Sequence, residues 1–213
     1  MNSGDRIYAV VLAGGTASRF GRLKQVEPVD GSCLLGVVVQ SAVRCEGIDR
    51  VILVLGHEAD AVQSALGRIA ENDKLEIVVN KDYRKGMSTS LRAGLGRAQA
   101  GGCDAVVFLL GDMPMIDTDL LDTVITGYRS SGSGLCYVRA GDHAGHPIIA
   151  RRDLFDEFMK VSGDVGGRDV VRENAERAMA VDVGERGIAC QLDINDPEDM
   201  KAYLSRCREH HVS

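Results

Sequence analysis

The chain has 213 residues, 45% of them hydrophobic, and a net charge of -6. That is enough apolar material for one good core, so one domain over residues 1-213 is the expectation. The acidic balance argues against nucleic acid as a partner, and no apolar run approaches the ~20 residues that span a membrane.

The first element, Ile7–Leu12, reads as a buried strand. It is preceded by Asp5 as well as Arg6 and leads straight into a loop, which fits a core strand better than a secretory leader. That loop, Gly14 to Lys24, contains Gly14, Gly15 and Gly21 together with Arg19, Arg22 and Lys24. Glycines let backbone N–H groups approach an anion closely, and the cations supply charge, so the loop suits polyphosphate. It is neither a Walker A loop nor the G-x-G-x-x-G dinucleotide fingerprint. An ordinary turn with scattered cations is the competing reading.

Helix Leu34–Cys45, strand Arg50–Leu55, helix Ala59–Ile69 and strand Leu75–Val79 follow, then helix Ser88–Gln99, strand Ala105–Leu110 and helix Asp117–Tyr128. This alternation, with continuous apolar strands, predicts an α/β fold with a mostly parallel sheet covered on both faces. Beyond residue 130 the rhythm weakens. Short strands are expected at Leu135–Val138, Pro147–Ala150 and Ala178–Val183, and a helix from Pro197, adding strands to the same sheet and walling one side of a cleft.

Three segments carry possible chemistry. Asp112 follows Gly111 at the end of an apolar strand, where an ionised carboxylate suits Mg²⁺ as well as it suits a turn. In Asp193–Asp199, Asp196 and Pro197 read as the cap and first residue of the last helix. Asp193 is then free to complete a two-carboxylate Mg²⁺ site with Asp112. Gly86–Arg92 places hydroxyls at a helix start, where Ser88 either caps the helix or meets a phosphate, ribose or base. His146, between Gly145 and Pro147, reads as a shaping residue more than a general base. The six cysteines include no C-x-x-C pair, which points to free thiols in a reducing cytoplasm rather than zinc.

Together these segments resemble the molybdenum-cofactor nucleotidyltransferases. The resemblance rests on Leu12-Ala13-Gly14-Gly15 with Arg19, Gly21 and Lys24, on Gly86–Leu95, on Leu110-Gly111-Asp112-Met113-Pro114, on Gly145-His146-Pro147, on Gly163–Arg168 and on Asp193–Asp199. It spans residues 7 to 199 and is strongest to the cytidylyl branch, although Gly14 stands where that branch usually has alanine. It implies a Rossmann-like three-layer α/β/α sandwich of the nucleotide-diphospho-sugar-transferase type. It also implies CMP transfer from CTP to the phosphate of molybdopterin, with pyrophosphate released. By the same resemblance, Leu12, Ala13, Gly14, Gly15 and Ser88 would hold the nucleotide, and Arg19 and Lys24 the triphosphate. Asp112 and Asp193 would hold Mg²⁺, and Lys24, Arg19 and Asp112 would carry the chemistry. His146, Asp164 and Arg168 would face the acceptor. A recipient molybdoenzyme or its chaperone is the implied partner. The alternatives are GTP on the same acceptor, transfer to another small phosphate, and a non-catalytic pterin carrier.

Overall fold

The computed structural model describes residues 4–15, 23–29 and 31–210, the last three of these by backbone only. Nine strands form: β1 (Ile7–Ala13), β2 (Pro28–Val29), β3 (Ser32–Cys33), β4 (Arg50–Leu55), β5 (Leu75–Val79), β6 (Ala105–Leu110), β7 (Leu135–Ala140), β8 (His143–Arg151) and β9 (Ala178–Val181). Seven of them make one sheet in the order β5-β4-β1-β6-β8-β7-β9, and β2 and β3 pair as a small hairpin. Strands β5, β4, β1 and β6 run parallel. Strand β8 is antiparallel to both its neighbours, and β9 lies parallel to β7. Six strands therefore point one way and β8 alone opposes them.

Every residue of β1 is buried. Successive side chains of a strand point to opposite faces, so a strand covered twice is apolar at every position. Ile7, Ala9, Val11 and Ala13 pack among α1 (Leu34–Arg44), α2 (Ala59–Leu66) and α4 (Thr118–Ser131). Tyr8, Val10 and Leu12 meet α3 (Met87–Ala100), α5 (Phe155–Lys160) and α6 (Gly167–Glu173) on the other face. The result is a Rossmann-like α/β/α sandwich. A short α7 (Arg186–Ala189) leads on to α8 (Pro197–His210), which packs Met200 and Tyr203 against Leu34 of α1 and Ile194.

Element boundaries follow local chemistry. Helix α4 starts one residue after its expected position because Asp117 is its cap, accepting from Leu120 N at 2.8 Å. In α8, Asp196 accepts from the backbone of Glu198 and Asp199 at 2.8 and 3.0 Å, as its place before Pro197 led one to expect. Strand β8 runs well beyond the expected Pro147–Ala150, since it is paired with β7 along its outer half. Five of the six cysteines are buried free thiols and Cys207 is half-buried. Burial pushes the Cys103 thiol up to about 11 and, together with the neighbouring Asp122 carboxylate, the Cys45 thiol up to about 12, which keeps both unreactive.

Candidate active site

The chain passes from β1 to β4 on one side and returns to β6 on the other, so connections diverge from the carboxyl end of β1. Such a switch point leaves a crevice, and ligands bind there in open α/β sheets. A cavity of about 340 Å³ opens at this place. Leu12 of β1 with Gly14 and Gly15 just beyond it line the cavity, as do Leu110 of β6 with Asp112 beyond it, Tyr83, Arg84 and Gly86 from the turn before α3, and Met87 and Ser90 of α3, with Asp164 from the loop before α6. Leu12, Gly14, Gly15 and Asp112 were all legible in the sequence. Ala13 points into the core on the α1 side instead. Arg19 lies outside the described residues.

Gly14 is glycine for a local reason. A Cβ there would sit 2.7 Å from Ser90 Oγ, itself accepting from Asn80 Nδ2 at 3.0 Å. The room left by Gly14 is thus taken by Ser90 of α3, not by open cleft. Behind the loop, the buried amide of Gln25 donates to Gly15 O at 3.2 Å and holds the backbone in place.

The acids and the lysine converge across 170 residues of sequence. Lys24 Nζ donates to Asp112 Oδ2 at 2.8 Å, to Ile194 O at 2.7 Å and to Asn195 Oδ1 at 3.2 Å. Asn195 Nδ2 in turn donates to Asp193 Oδ2 at 2.7 Å. Asp112 and Asp193, expected as one pair, are therefore joined through Lys24 and Asn195. The Lys24 side chain is only 11% exposed and that of Asp112 26%. Lys24, expected to embrace triphosphate, instead has all three N–H groups on protein oxygens. The turn at Asp112 is made by backbone, Met113 N on Leu110 O at 3.3 Å, and leaves its carboxylate to the cleft and Lys24. Asn195 was not singled out by sequence reasoning. Its position two residues beyond Asp193, with an amide able to bridge charge of either sign, was the available signal.

At the start of α3 the structure corrects the expectation for Ser88. Gly86, with φ +109°, is the cap residue, and a Cβ there would strike the Gly163 carbonyl. Ser88 is fully buried, its Oγ has no partner, and its N donates to Gly163 O at 3.1 Å. It neither caps the helix nor lines the cavity. The residue that does is Ser90, two positions on, because the first helical turn carries Ser88 inward. Met87 N faces Asp164 Oδ1 at 3.4 Å, so the Gly163–Gly167 loop closes over the helix start. Tyr83 and Arg84 were missed as well. They form a turn between β5 and α3 where Arg84 Nε donates to Tyr83 Oη at 3.1 Å, and a cation just before Gly86 was their sequence signal.

His146, expected to face the acceptor, is buried at 3% exposure, and its Nδ1 lies 3.3 Å from Phe108 O. Burial, with the nearby Arg168 charge, lowers its pKa to about 4. At neutral pH the ring is uncharged, and Nδ1 carries the proton because a carbonyl can only accept. His146 shapes the wall, then, and does not reach the cleft. Of the other two acceptor candidates, Asp164 lines the main cavity, while exposed Arg168 lines a second one of about 460 Å³ with Tyr137, His143 and Arg172.

Among the described residues no group of three or more His, Cys, Asp or Glu is placed to hold a metal ion. Two carboxylates, an amide oxygen and a backbone carbonyl are nonetheless hard donors joined in one hydrogen-bonded chain that reaches the cleft at Asp112, and Mg²⁺ is ordinarily held by one or two carboxylates plus substrate phosphates. The donor set fits such an ion. Among the described residues no helix is long and apolar enough to cross a membrane.

Comparison with known proteins places this geometry. The chain is 24% identical to the molybdenum cofactor cytidylyltransferase of Escherichia coli over 95% of its own length and 98% of that protein. It is 29% identical to the bifunctional protein GlmU of Pseudomonas fluorescens over 84% of this chain, which spans about a third, 36%, of that longer protein. Among solved structures, Rv0371c of Mycobacterium tuberculosis superposes with a TM-score of 0.77 at 30% identity, covering 94% of this chain and 98% of the other. A further structure of Rv0371c is a complex with manganese, with a TM-score of 0.71, 29% identity and coverage of 94% and 98%. The family model of the MobA-like NTP transferase domain matches residues 9–178, and the chain belongs to this family of nucleotidyltransferases.

Proposed function

We propose that the protein transfers CMP from CTP to the terminal phosphate of molybdopterin, with or without bound molybdenum. The cleft at the end of β1, walled by Gly14, Gly15 and Asp112, carries this reading. Likeness to the Escherichia coli cytidylyltransferase along nearly its whole length supports it. An oxygen of the acceptor phosphate attacks the α-phosphorus of CTP. The bond from that phosphorus to the β-phosphate oxygen breaks, and pyrophosphate leaves with the electron pair. The nucleophile is already anionic, so no strong general base is needed, and catalysis rests on alignment and charge neutralisation.

In this reading Leu12, Gly14 and Gly15 cradle base and ribose, with Ser90 closing the wall behind them. Arg19 and Arg84 supply charge to the triphosphate. Lys24 contributes through Asp112, on which it is held. Asp112 and Asp193 would hold Mg²⁺, which supplies charge neutralisation on the phosphates. Asp164 and Arg168 border the acceptor side.

GTP as donor is the second reading, and Gly14 is the observation behind it. Its space opens toward Ser90, which gives a purine little extra room and keeps CTP the first choice. The test supplies each nucleoside triphosphate with molybdopterin and measures pyrophosphate and the dinucleotide formed. Turnover with CTP at least tenfold above GTP is expected. A preference for GTP of that size reverses the donor, and no pyrophosphate with any triphosphate removes molybdopterin as the acceptor, leaving transfer to another small phosphate or a carrier.

A further inference from the structure

Two of the three oxygens around Lys24 are held by bonds that do not involve it. Ile194, fully buried, has its N bonded to Asp112 O at 2.9 Å. Asn195 N is fixed by Asp199 Oδ2 at 2.9 Å, and Asn195 Nδ2 by Asp193 Oδ2 at 2.7 Å. One backbone bond and two bonds to side-chain carboxylates thus hold the Ile194 carbonyl and the Asn195 amide oxygen beside the Asp112 backbone, and the three oxygens surround one point. That point is occupied by an ammonium at 2.8, 2.7 and 3.2 Å. A carboxylate, a peptide carbonyl and an amide carbonyl are the donors that hard divalent cations take.

We infer that Lys24 is the resident cation of this oxygen socket, and that it keeps bare divalent metal out of the site until nucleotide arrives. This rests on the nucleotidyl-transfer reading for its purpose, though not for its test. A compact ammonium and a metal ion repel each other, so the two cannot share Asp112 at full strength. Bare metal must displace the ammonium and leave it without a counter-charge at a largely buried position, which is costly. Metal carried on a triphosphate brings its own anion, and the displaced ammonium then has a new partner within reach. Metal and nucleotide therefore enter together. Lys24 is in this sense a positioning residue, acting on substrate binding through Asp112 and Asn195.

Mn²⁺ alone is the probe, titrated into the nucleotide-free full-length protein and followed by the loss of the free-ion electron paramagnetic resonance signal. Lys24→Met should bind Mn²⁺ at least tenfold more tightly than wild type, and adding Asp112→Asn should abolish the gain. A Lys24→Met protein that folds, by circular dichroism, and binds no more tightly than wild type overturns the inference. Wild type provides a second arm that needs no buried substitution. Its weak Mn²⁺ binding should change less than twofold in Asp112→Asn, since Lys24 already occupies the carboxylate. Tight, Asp112-dependent binding by nucleotide-free wild type overturns the inference too. No nucleotide or acceptor is present in either arm, so a wrong donor or acceptor shows in the pyrophosphate assay and leaves this result standing.

Discussion

Replacing Gly14 by alanine tests the architecture of the base pocket directly. The new Cβ would lie 2.7 Å from Ser90 Oγ, with its next neighbours, Tyr83 Cβ and Gly56 N, at ordinary contact of 3.7 and 3.8 Å. Only Ser90 has to move. Rotating its hydroxyl away breaks the 3.0 Å bond from Asn80 Nδ2, which keeps its second bond, to Thr89 Oγ1 at 2.8 Å. One lost hydrogen bond is worth about 0.5–1.5 kcal/mol and residual crowding adds about as much, so a loss of ~1–2 kcal/mol is expected. For a chain of this size that lowers Tm by about 2–8 °C. The shift is read by calorimetry, and kcat/KM is measured for CTP and GTP in parallel. Both should fall by about tenfold together, because the methyl meets Ser90 and not the base. In a Ser90→Ala background the same change should leave Tm within about 1 °C, since the obstacle is gone. A Gly14→Ala protein with unchanged Tm and a tenfold swing in the CTP to GTP ratio would refute the argument and put the methyl against the nucleobase.

Other outcomes follow from the same geometry. Lys24→Met removes the donor from one buried and one partly buried oxygen at ~1–3 kcal/mol each, so Tm should fall by about 4–24 °C, where loss of a phosphate-binding lysine on an open loop would leave it unchanged. Asp112→Asn should reduce turnover at least ~10²-fold, and because Asp193 sits in the same hydrogen-bonded chain, the double variant with Asp193→Asn should be little worse than the worse single one; multiplicative losses would separate them. Asp117→Ala loses both the α4 cap and the Arg186 ion pair at 2.6 Å, and unfolding in urea should show a loss of about 1–2 kcal/mol. The His146 pKa of about 4 lies below the unfolded value of 6.5, so the unfolded chain takes up the proton first; stability contributed by this residue is complete above pH 6.5 and lost as pH falls toward 4, by roughly 3 kcal/mol at most, and His146→Gln should flatten that slope.

What could be read beforehand was what adjacent residues decide. Strands β4, β5 and β6 stood out residue for residue, because each is a mainly apolar run flanked by turn residues, broken only by Arg50 at the start of β4 and Glu76 in β5. Asp196 announced the start of α8 through capping chemistry alone, whereas Asp117 was placed inside the helix that it caps. The length of β8 was not legible, since its outer half, His143–Gly145, is a strand only by virtue of pairing with β7. Ser88 and Ser90 show the same limit within one helix. Both are hydroxyls near the N-terminus of α3, and only the rotation of that helix against Val10 and Leu12 decides that one faces the core and the other the cleft.

The largest gap concerns Lys24. In the sequence it closes a glycine-rich cationic loop, and electrostatics alone assign it to an anion. The anion it meets belongs to the protein: Asp112 lies 88 residues away and Asn195 171 away. A lysine offers three donors without directional preference, so it bonds whichever oxygens the fold delivers, and sequence spacing cannot name them. The fold delivers them because β1 and β6 are paired in register, Leu12 opposite Leu110, which sets the two loops side by side, and because the backbone bond between Ile194 and Asp112 ties in the segment before α8. Charge complementarity in this cleft is thus satisfied internally before any ligand arrives. A ligand must therefore compete for groups that are already paired, which favours one that brings metal and phosphate at once over one that brings either alone.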